Sequence, residues 1–165
     1  KSYSVDFVSR RNSLTSSSAK PYDVWVDIAK KYQTNEHLAY VLCNNPFFES
    51  FQEAIDLYQG IVSEGKFTGL ASVSLVKKHL IDIKGNPLGF GFGKDWISSE
   101  KLKYLYEING GIQIGSINQI LKTQSLFGIK PKLHDFNCKS FEIDNMIEFN
   151  NSIMLLETKH KKNNP

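Results

Sequence analysis

Two carboxylates and a lysine near the end of the printed sequence have the types and spacing for metal-assisted chemistry. Asn150-Asn151 predicts a tight turn, because asparagine tolerates the positive φ that a two-residue hairpin requires. In that register Asp144 lies opposite Glu157, and side-chain alternation puts Lys159 on the same face. Facing carboxylates repel each other unless a divalent cation lies between them. The pattern therefore predicts a cation site with a lysine beside it.

This arrangement resembles the PD-(D/E)xK nuclease superfamily, which includes restriction endonucleases and Holliday-junction resolvases. The matching residues are Asp144 and the triplet Glu157-Thr158-Lys159, within a resemblance that covers roughly residues 114–160. The resemblance implies phosphodiester hydrolysis with Mg²⁺ or Mn²⁺ held by Asp144, Glu157 and the Thr158 carbonyl. Lys159 would orient the attacking water or stabilise the oxyanion. The helix candidate Gly115–Gln124 carries no acid, whereas most members of the superfamily have a glutamate on the helix before the first strand.

Composition sets broad limits on the class of protein. The 165 residues fit one domain or two small ones, and 20 Lys+Arg against 17 Asp+Glu give a net charge of +3, which permits binding to nucleic acid. Cys43 and Cys138 show no metal-ligand spacing and are expected to be free thiols, as in the cytoplasm. No apolar run approaches the roughly 20 residues of a membrane helix, and nothing suggests an organic cofactor.

The predicted fold class is α+β or α/β, in three parts. Residues 1–20 are expected to be a flexible arm, residues 21–110 a mainly helical part that contacts DNA, and residues 111–165 a β-rich, nuclease-like core. The breaker sequence Asn109-Gly110-Gly111 marks the expected junction. The core would be a small mixed sheet with one short helix, similar to a complete or an incomplete restriction-endonuclease core.

Local signals place several helices in the first two parts. Pro21 predicts the start of one helix, and Asn35 predicts the cap of a second that buries Leu38. The pair Asn45-Pro46 predicts a third helix, with an aromatic stripe directed to the core and an end at Gly65. Ser98 predicts a cap for a further helix over Ser99–Ile108.

A helix predicted over Gly69–Leu80 provides the candidate DNA contact. Its polar face would present Ser72, Ser74, Lys77 and Lys78, and the short glycine-bearing turn before it resembles that of a helix-turn-helix motif.

The segment Gly89–Gly93 has two interpretations. A glycine-rich loop before a helix can cradle a phosphate, whereas the alternation of phenylalanine and glycine also suits a bent hairpin that packs two phenyl rings. Beyond it, Ser116 and Gln119 form a capping box for the helix candidate Gly115–Gln124. Three strands are expected to follow, at Phe127–Leu133, Phe141–Phe149 and Ser152–Lys159.

The leading functional expectation is a metal-dependent deoxyribonuclease, of the restriction type if the resemblance extends that far. One alternative is a non-catalytic nucleic-acid-binding module, and another is a protein-interaction domain of an immunity or regulatory kind. DNA is the expected partner and a homodimer is compatible with the sequence, while the choice between DNA and RNA stays open.

Overall fold

The computed structural model describes residues 7–102, 105–137 and 142–163, with side chains as far as residue 158. In these ranges the chain forms four α-helices, six strands and three short 3₁₀ turns. The helices are α1 Pro21–Ala29, α2 Phe51–Glu64, α3 Ile117–Thr123 and α4 Met146–Asn163. The strands are β1 His37–Tyr40, β2 Gly69–Leu75, β3 Leu80–Ile81, β4 Pro87–Leu88, β5 Tyr106–Ser116 and β6 Pro131–His134.

One four-stranded sheet organises the molecule, in the order β1-β5-β2-β6, and β3 pairs separately with β4. The first three strands are mutually antiparallel, whereas β6 runs parallel to β2. Helix α2 packs on one face over a core that includes Phe48, Leu70 and Ile112. Helices α1 and α3 contribute to a second core, which includes Ala29 and Ile120. The α+β class expected from the sequence is confirmed.

The helix predicted over Gly69–Leu80 is wrong, because Gly69–Leu75 is the strand β2. This strand lies between β5 and β6, and its first five residues are all buried. A strand that is buried on both faces lacks the alternation of apolar and polar residues seen in a half-exposed strand. The spacing of its apolar residues therefore does not distinguish it from a buried helix. Pairing on both sides of the strand overrides the helical spacing of Leu70, Val73 and Val76.

The expected junction at Asn109-Gly110-Gly111 lies inside β5, and the sheet takes strands from both sides of it. Between the pairs Ala71–Gln113 and Val73–Ile108, β2 advances by two residues and β5 by five. The three additional residues form a bulge in which Gly110 has a φ of +66°, a conformation that glycine adopts without strain. The bulge therefore interrupts the ladder without ending the strand.

Several other element predictions are also settled by the structure. Pro21 begins α1 and Gly65 ends α2 with a φ of +65°, as expected. The helix predicted after Asn35 is wrong, because His37–Tyr40 pairs with β5 at the sheet edge. The helix predicted over Ser99–Ile108 is wrong, because Ser99–Lys101 makes a 3₁₀ turn and Tyr106 already belongs to β5.

The C-terminal hairpin is the largest error, because Met146–Asn163 is one helix. Asn145 caps its start, where its Oδ1 accepts hydrogen bonds of 3.0 Å from the backbone N–H groups of both Ile147 and Glu148. Asn150 and Asn151, predicted as turn residues, lie within α4. The strands predicted at Phe141–Phe149 and Ser152–Lys159 therefore do not form in the described part of these segments; residues 138–141 lie outside the described ranges.

The N-cap predicted at Ser116 is confirmed, since its side chain accepts a hydrogen bond from the Gln119 backbone N–H at 3.2 Å. The strand predicted at Phe127–Leu133 is shorter and later, at Pro131–His134. In the described ranges no helix is both long enough and apolar enough to cross a membrane.

Two glycines give a matched stability test of this packing. A Cβ on Gly115 would overlap the backbone carbonyl of Leu126, whereas a Cβ on Gly60, inside α2, meets nothing within 4 Å. We expect Gly115→Ala to lower the free energy of unfolding by more than about 2 kcal/mol, because a backbone atom cannot move aside cheaply. Gly60→Ala should raise it by about 0.5–1 kcal/mol through helix propensity. Chemical denaturation measures both, and a tolerated Gly115→Ala would contradict the close approach of β5 to the segment after α3.

Candidate nucleic-acid interface

The structure does not bring the predicted metal ligands together. Asp144 precedes α4 and Glu157 lies on it, so the helical rise of about 1.5 Å per residue separates Glu157 from Met146 by roughly 16 Å. The Asp144 Oδ1 instead accepts a hydrogen bond of 2.9 Å from Asn44 Nδ2. Thr158 donates its hydroxyl to the Met154 carbonyl at 2.8 Å. The Lys159 side chain lies outside the described side chains.

Asp144 has acidic neighbours other than the one expected. Burial, and then the negative charges of Asp144, Glu107 and Glu148, raise the pKa of Glu142. Glu148 also accepts a hydrogen bond of 2.7 Å from the Asp144 backbone N–H, which uses one of its oxygens to hold the start of α4. In the ranges that the structure describes, no group of three or more His, Cys, Asp or Glu side chains could hold a metal ion. The residues present therefore do not fit the Mg²⁺ site implied by the resemblance.

Two of the four predicted nucleic-acid contacts are structural. Ser72 is fully buried, and its hydroxyl donates to the Asn109 Oδ1 at 2.7 Å while it accepts the Ile112 N–H at 2.9 Å. Asn109 Nδ2 donates in turn to the Ser74 hydroxyl at 2.9 Å. Both serines are hydrogen-bonded to the β5 bulge, and Ser72 has no exposed surface.

The other two, Lys77 and Lys78, open a long excursion between two paired strands. The last pair of the β2–β5 ladder is Leu75–Tyr106, and the Val76 N–H donates to the Leu105 carbonyl at 3.0 Å. The chain leaves the sheet after this pair and returns to it at the same place. We call residues 76–102 the excursion.

An aromatic cluster forms the interior of the excursion. His79 stacks on Trp96 with the ring centroids 4.1 Å apart and the planes 17° from parallel. Phe90 stands nearly perpendicular to both rings, at 4.8 Å from His79 and 5.1 Å from Trp96. His79 also donates from Nε2 to the Ile97 carbonyl at 2.7 Å, which fixes its ring beside the indole. Phe92 meets Phe90 edge-to-face at 6.0 Å, as the bent-hairpin interpretation of the Phe-Gly alternation predicts.

The same cluster leaves aromatic surface open to solvent. Trp96 is 53% exposed although His79 stacks on its indole and Phe90 lies nearly perpendicular to it. Phe92 is 58% exposed. A tryptophan held in place by a stacked neighbour loses little conformational entropy when a second planar group stacks on it.

Basic charge is concentrated on the same segment. Residues 76–102 carry five lysines against three acids, so a segment with a net charge of +2 supplies most of the net charge of +3 of the whole chain. None of the five lysines makes an ion pair within the described ranges. One of the acids, Asp82, is engaged in a turn, where hydrogen bonds led by that from the Asn86 side chain lower its pKa. The five lysines are Lys77, Lys78, Lys84, Lys94 and Lys101.

Exposed rings beside unpaired lysines suit a polyanion that carries planar groups. Lysine side chains attract phosphates, and an open indole face accepts a nucleobase whatever its identity. The sequence pattern identified Lys77 and Lys78 as contacts but placed them on a helix. The alternation of phenylalanine and glycine over Gly89–Gly93 is the one sequence feature that indicates packed rings in this segment. Nothing in the sequence shows that His79 and Trp96 meet.

A second candidate site is the groove between β1 and α2. The Tyr58 hydroxyl and the His37 Nδ1 share a hydrogen bond of 2.9 Å at its centre. Burial raises the pKa of Tyr58 to about 12, so this phenol is a neutral hydrogen-bonding group at physiological pH. Ala39, Ile55 and Val62 make the rest of the groove mainly apolar. The residues that line this groove carry no charged group that would indicate the chemistry of a ligand.

Comparison with known proteins assigns no family to these features. Neither the protein-family models nor the curated proteins give a match to this chain.

The acidic cluster around Glu142 gives a pH-dependent test. A carboxylic acid whose pKa is raised on folding binds protons more tightly in the folded state, so its ionisation lowers stability as the pH rises through that pKa. We expect Glu142→Gln to unfold at a higher temperature than the parent at pH 7, because it removes the cost of burying a charge and then the repulsion from Asp144, Glu107 and Glu148. The advantage should shrink as the pH falls below the raised pKa. Glu157→Gln, which removes one carboxylate from the exposed face of α4 far from this cluster, is the matched control and should leave the melting temperature at pH 7 unchanged. A Glu142→Gln variant that is less stable at pH 7 would show that the carboxylate is favourably bound.

Proposed function

We propose that the protein is a nucleic-acid-binding module that contacts single strands through the excursion. The observation that carries this proposal is the half-exposed indole of Trp96, stacked on His79 in a segment whose five lysines have no partner acid in the described ranges. Single-strand binding combines these two elements, a charged surface for the phosphates and aromatic rings for the bases.

Single strands fit this surface better than a duplex. The residues that would have entered a major groove as a helix belong to β2 and to the start of the excursion, so the helix-turn-helix contact is lost. An exposed ring can stack only on a base that is free of its own neighbours, as in single strands, loops and ends. Both DNA and RNA have such bases, and the surface has no feature that selects the sugar.

The nuclease activity suggested by the resemblance stays a prediction, now without the acid pair on which it depended. The proposed binding does not use Asp144 or Glu157, so the result of a cleavage assay does not bear on it. Incubation of the protein and an oligonucleotide with Mg²⁺ or Mn²⁺ tests the activity directly.

Tryptophan fluorescence tests the stacking contact. The chain has two tryptophans, and Trp25 packs in the core against Tyr40 at 6.2 Å. In a Trp25→Phe background, titration with a mixed-sequence oligonucleotide should quench the emission of Trp96, because a base stacked on the indole deactivates its excited state. Trp96→Ala should weaken binding by about 1–3 kcal/mol, the usual value of one base–aromatic stack. Trp96→Phe should retain most of the affinity, since it keeps a ring face.

The matched control for this variant is Ile83→Ala. Ile83 is fully exposed and lies on the same excursion, but it has no ring. A protein partner would bury Ile83, whereas an aliphatic side chain neither stacks on bases nor contacts phosphates. Loss of binding with Ile83→Ala, or Trp96 emission that does not change on titration, would contradict the stacking contact.

Salt dependence tests the phosphate contacts. Replacing Lys77 and Lys78 with glutamine should reduce the slope of log affinity against log salt by about one per lost contact. Lys130→Gln/Lys132→Gln is the control with the same loss of charge, at a site where both ammonium groups lie over the Phe67 ring at 5.9 and 5.5 Å. An equal loss of slope in both double variants would show that only the overall charge matters, and would place the contact elsewhere.

A further inference from the structure

The strand β1 has an open edge. It lies at one end of the order β1-β5-β2-β6, and in the described ranges its strand partner is β5. The Ile117 N–H donates to the Glu36 carbonyl at 3.0 Å, so the even-numbered residues of this segment direct their main-chain groups towards β5. The N–H and C=O groups of His37 and Ala39 therefore point outwards. Among the residues that the structure describes, none of these four groups has a hydrogen-bond partner.

The opposite edge of the sheet is protected against pairing, whereas β1 is not. Strand β6 begins with Pro131, which has no N–H to donate, and continues with the charged Lys132. Proline and lysine on an edge strand are common means by which proteins prevent pairing with another chain. The four residues of β1, His37–Tyr40, include neither. The edge that stays available for pairing is therefore that of β1.

The groove between β1 and α2 runs along this open edge. His37 and Ala39 line it from β1, and Ile55, Gln59 and Val62 line it from one face of α2. Ile55 and Val62 are 40% and 50% exposed although both are apolar. The cavity has a volume of about 330 Å³, and its lining contains no Lys, Arg, Asp or Glu. A strand placed next to β1 would therefore direct every second side chain towards an apolar, uncharged helix face.

A second cavity continues the groove beyond His37. It has a volume of about 300 Å³ and shares His37, Tyr58 and Val62 with the first cavity. Its other walls carry mainly hydroxyl and amide groups, among them those of Asn35 and Asn118, and again no Lys, Arg, Asp or Glu. An occupant that crosses the His37–Tyr58 pair therefore passes from an apolar part of the groove into a neutral polar part.

We propose that this groove binds an extended peptide segment of a partner protein, which pairs with β1 as a fifth strand of the sheet. The main chain of the peptide bonds that of His37 and Ala39, and its alternate side chains lie against Ile55 and Val62. The outward main-chain groups identify the occupant, because a small molecule or a nucleic acid has no N–H and C=O groups at the repeat of a strand. The peptide has apolar residues at two alternate positions and an uncharged polar residue at the end near Asn35.

Selection of short random peptides displayed on phage, against the full chain, tests this proposal. We expect enriched sequences with apolar residues at positions i and i+2 and no charge at either. Val62→Lys should weaken the binding of synthetic copies of these peptides at least about tenfold, because it puts a charge into the apolar part of the groove. Ile129→Lys is the matched control, since Ile129 is 81% exposed and does not line the groove. Circular dichroism checks that both variants keep the fold.

Two further measurements distinguish strand pairing from side-chain contact alone. Binding of a selected peptide should slow amide hydrogen exchange at His37 and Ala39, whose N–H groups point outwards, and should leave exchange at Ile129 unchanged. Methylation of the peptide nitrogens, one residue at a time, should weaken binding at every second residue, by about fivefold for each lost hydrogen bond.

Three outcomes would overturn the proposal. The first is a selection in which no sequence is enriched above the level obtained with the Val62→Lys variant. The second is a methylation series without a period of two residues. The third is self-association of the chain that Val62→Lys abolishes, which would show that a second copy occupies the groove. Val62 lies outside the excursion, so Val62→Lys should leave oligonucleotide binding unchanged, and the two proposals fail independently.

Discussion

The shift of register between β2 and β5 is the constraint on which the rest of the structure depends. Three more residues of β5 than of β2 lie between consecutive ladder pairs, and the buried Ser72 hydroxyl bonds both Asn109 and the Ile112 N–H across the gap. Asn45 adds a hydrogen bond of 2.8 Å from its side chain to the Asn109 carbonyl. Buried polar groups are costly without partners, so this network allows only one register.

That register determines where the excursion leaves the sheet. Beyond the bulge the ladder resumes through Val73–Ile108 and ends at Leu75–Tyr106, and the two ends of the excursion are thereby fixed side by side. The excursion itself has few backbone pairs, limited to β3 with β4 and to turns. The conformation of the excursion is therefore held by the stacked rings of His79 and Trp96 and by the β2–β5 pair Leu75–Tyr106 at its two ends. The proposed binding surface is therefore held by the sheet at its two ends and exposed at Phe92 and Trp96.

The sequence revealed the parts of the fold that depend on local chemistry. Proline at the first turn of α1, glycine at the end of α2 and the Ser116 cap of α3 act within a few residues, and all three predictions are confirmed. The sequence does not reveal the strand β2, because its ladder partners β5 and β6 and the helix packed on it are distant in sequence. The bulge was taken for a junction because glycines break an isolated strand, whereas here Ser72 supplies the missing partners.

The error at α4 had a different cause. Apolar residues alternate closely enough over 143–156 to suit a strand, and two asparagines in the middle suit a turn. The same residues also suit a helix, and the side chain of Asn145 caps its first turn. The acids on which the resemblance depended then separate along the helix axis. The candidate site could not be predicted, because it requires His79 and Trp96 to meet across a turn that only the folded excursion makes.

Photochemical cross-linking gives the most direct test of the central claim, that nucleic acid lies on the excursion. An oligonucleotide with halogenated pyrimidines, irradiated in the complex and analysed by peptide mass spectrometry, marks the aromatic side chain that stacks on a base. The account predicts adducts on Trp96, or on Phe92 beside it, that disappear at high salt. Adducts confined to another part of the chain, such as Phe67 beside Lys130 and Lys132, would contradict it.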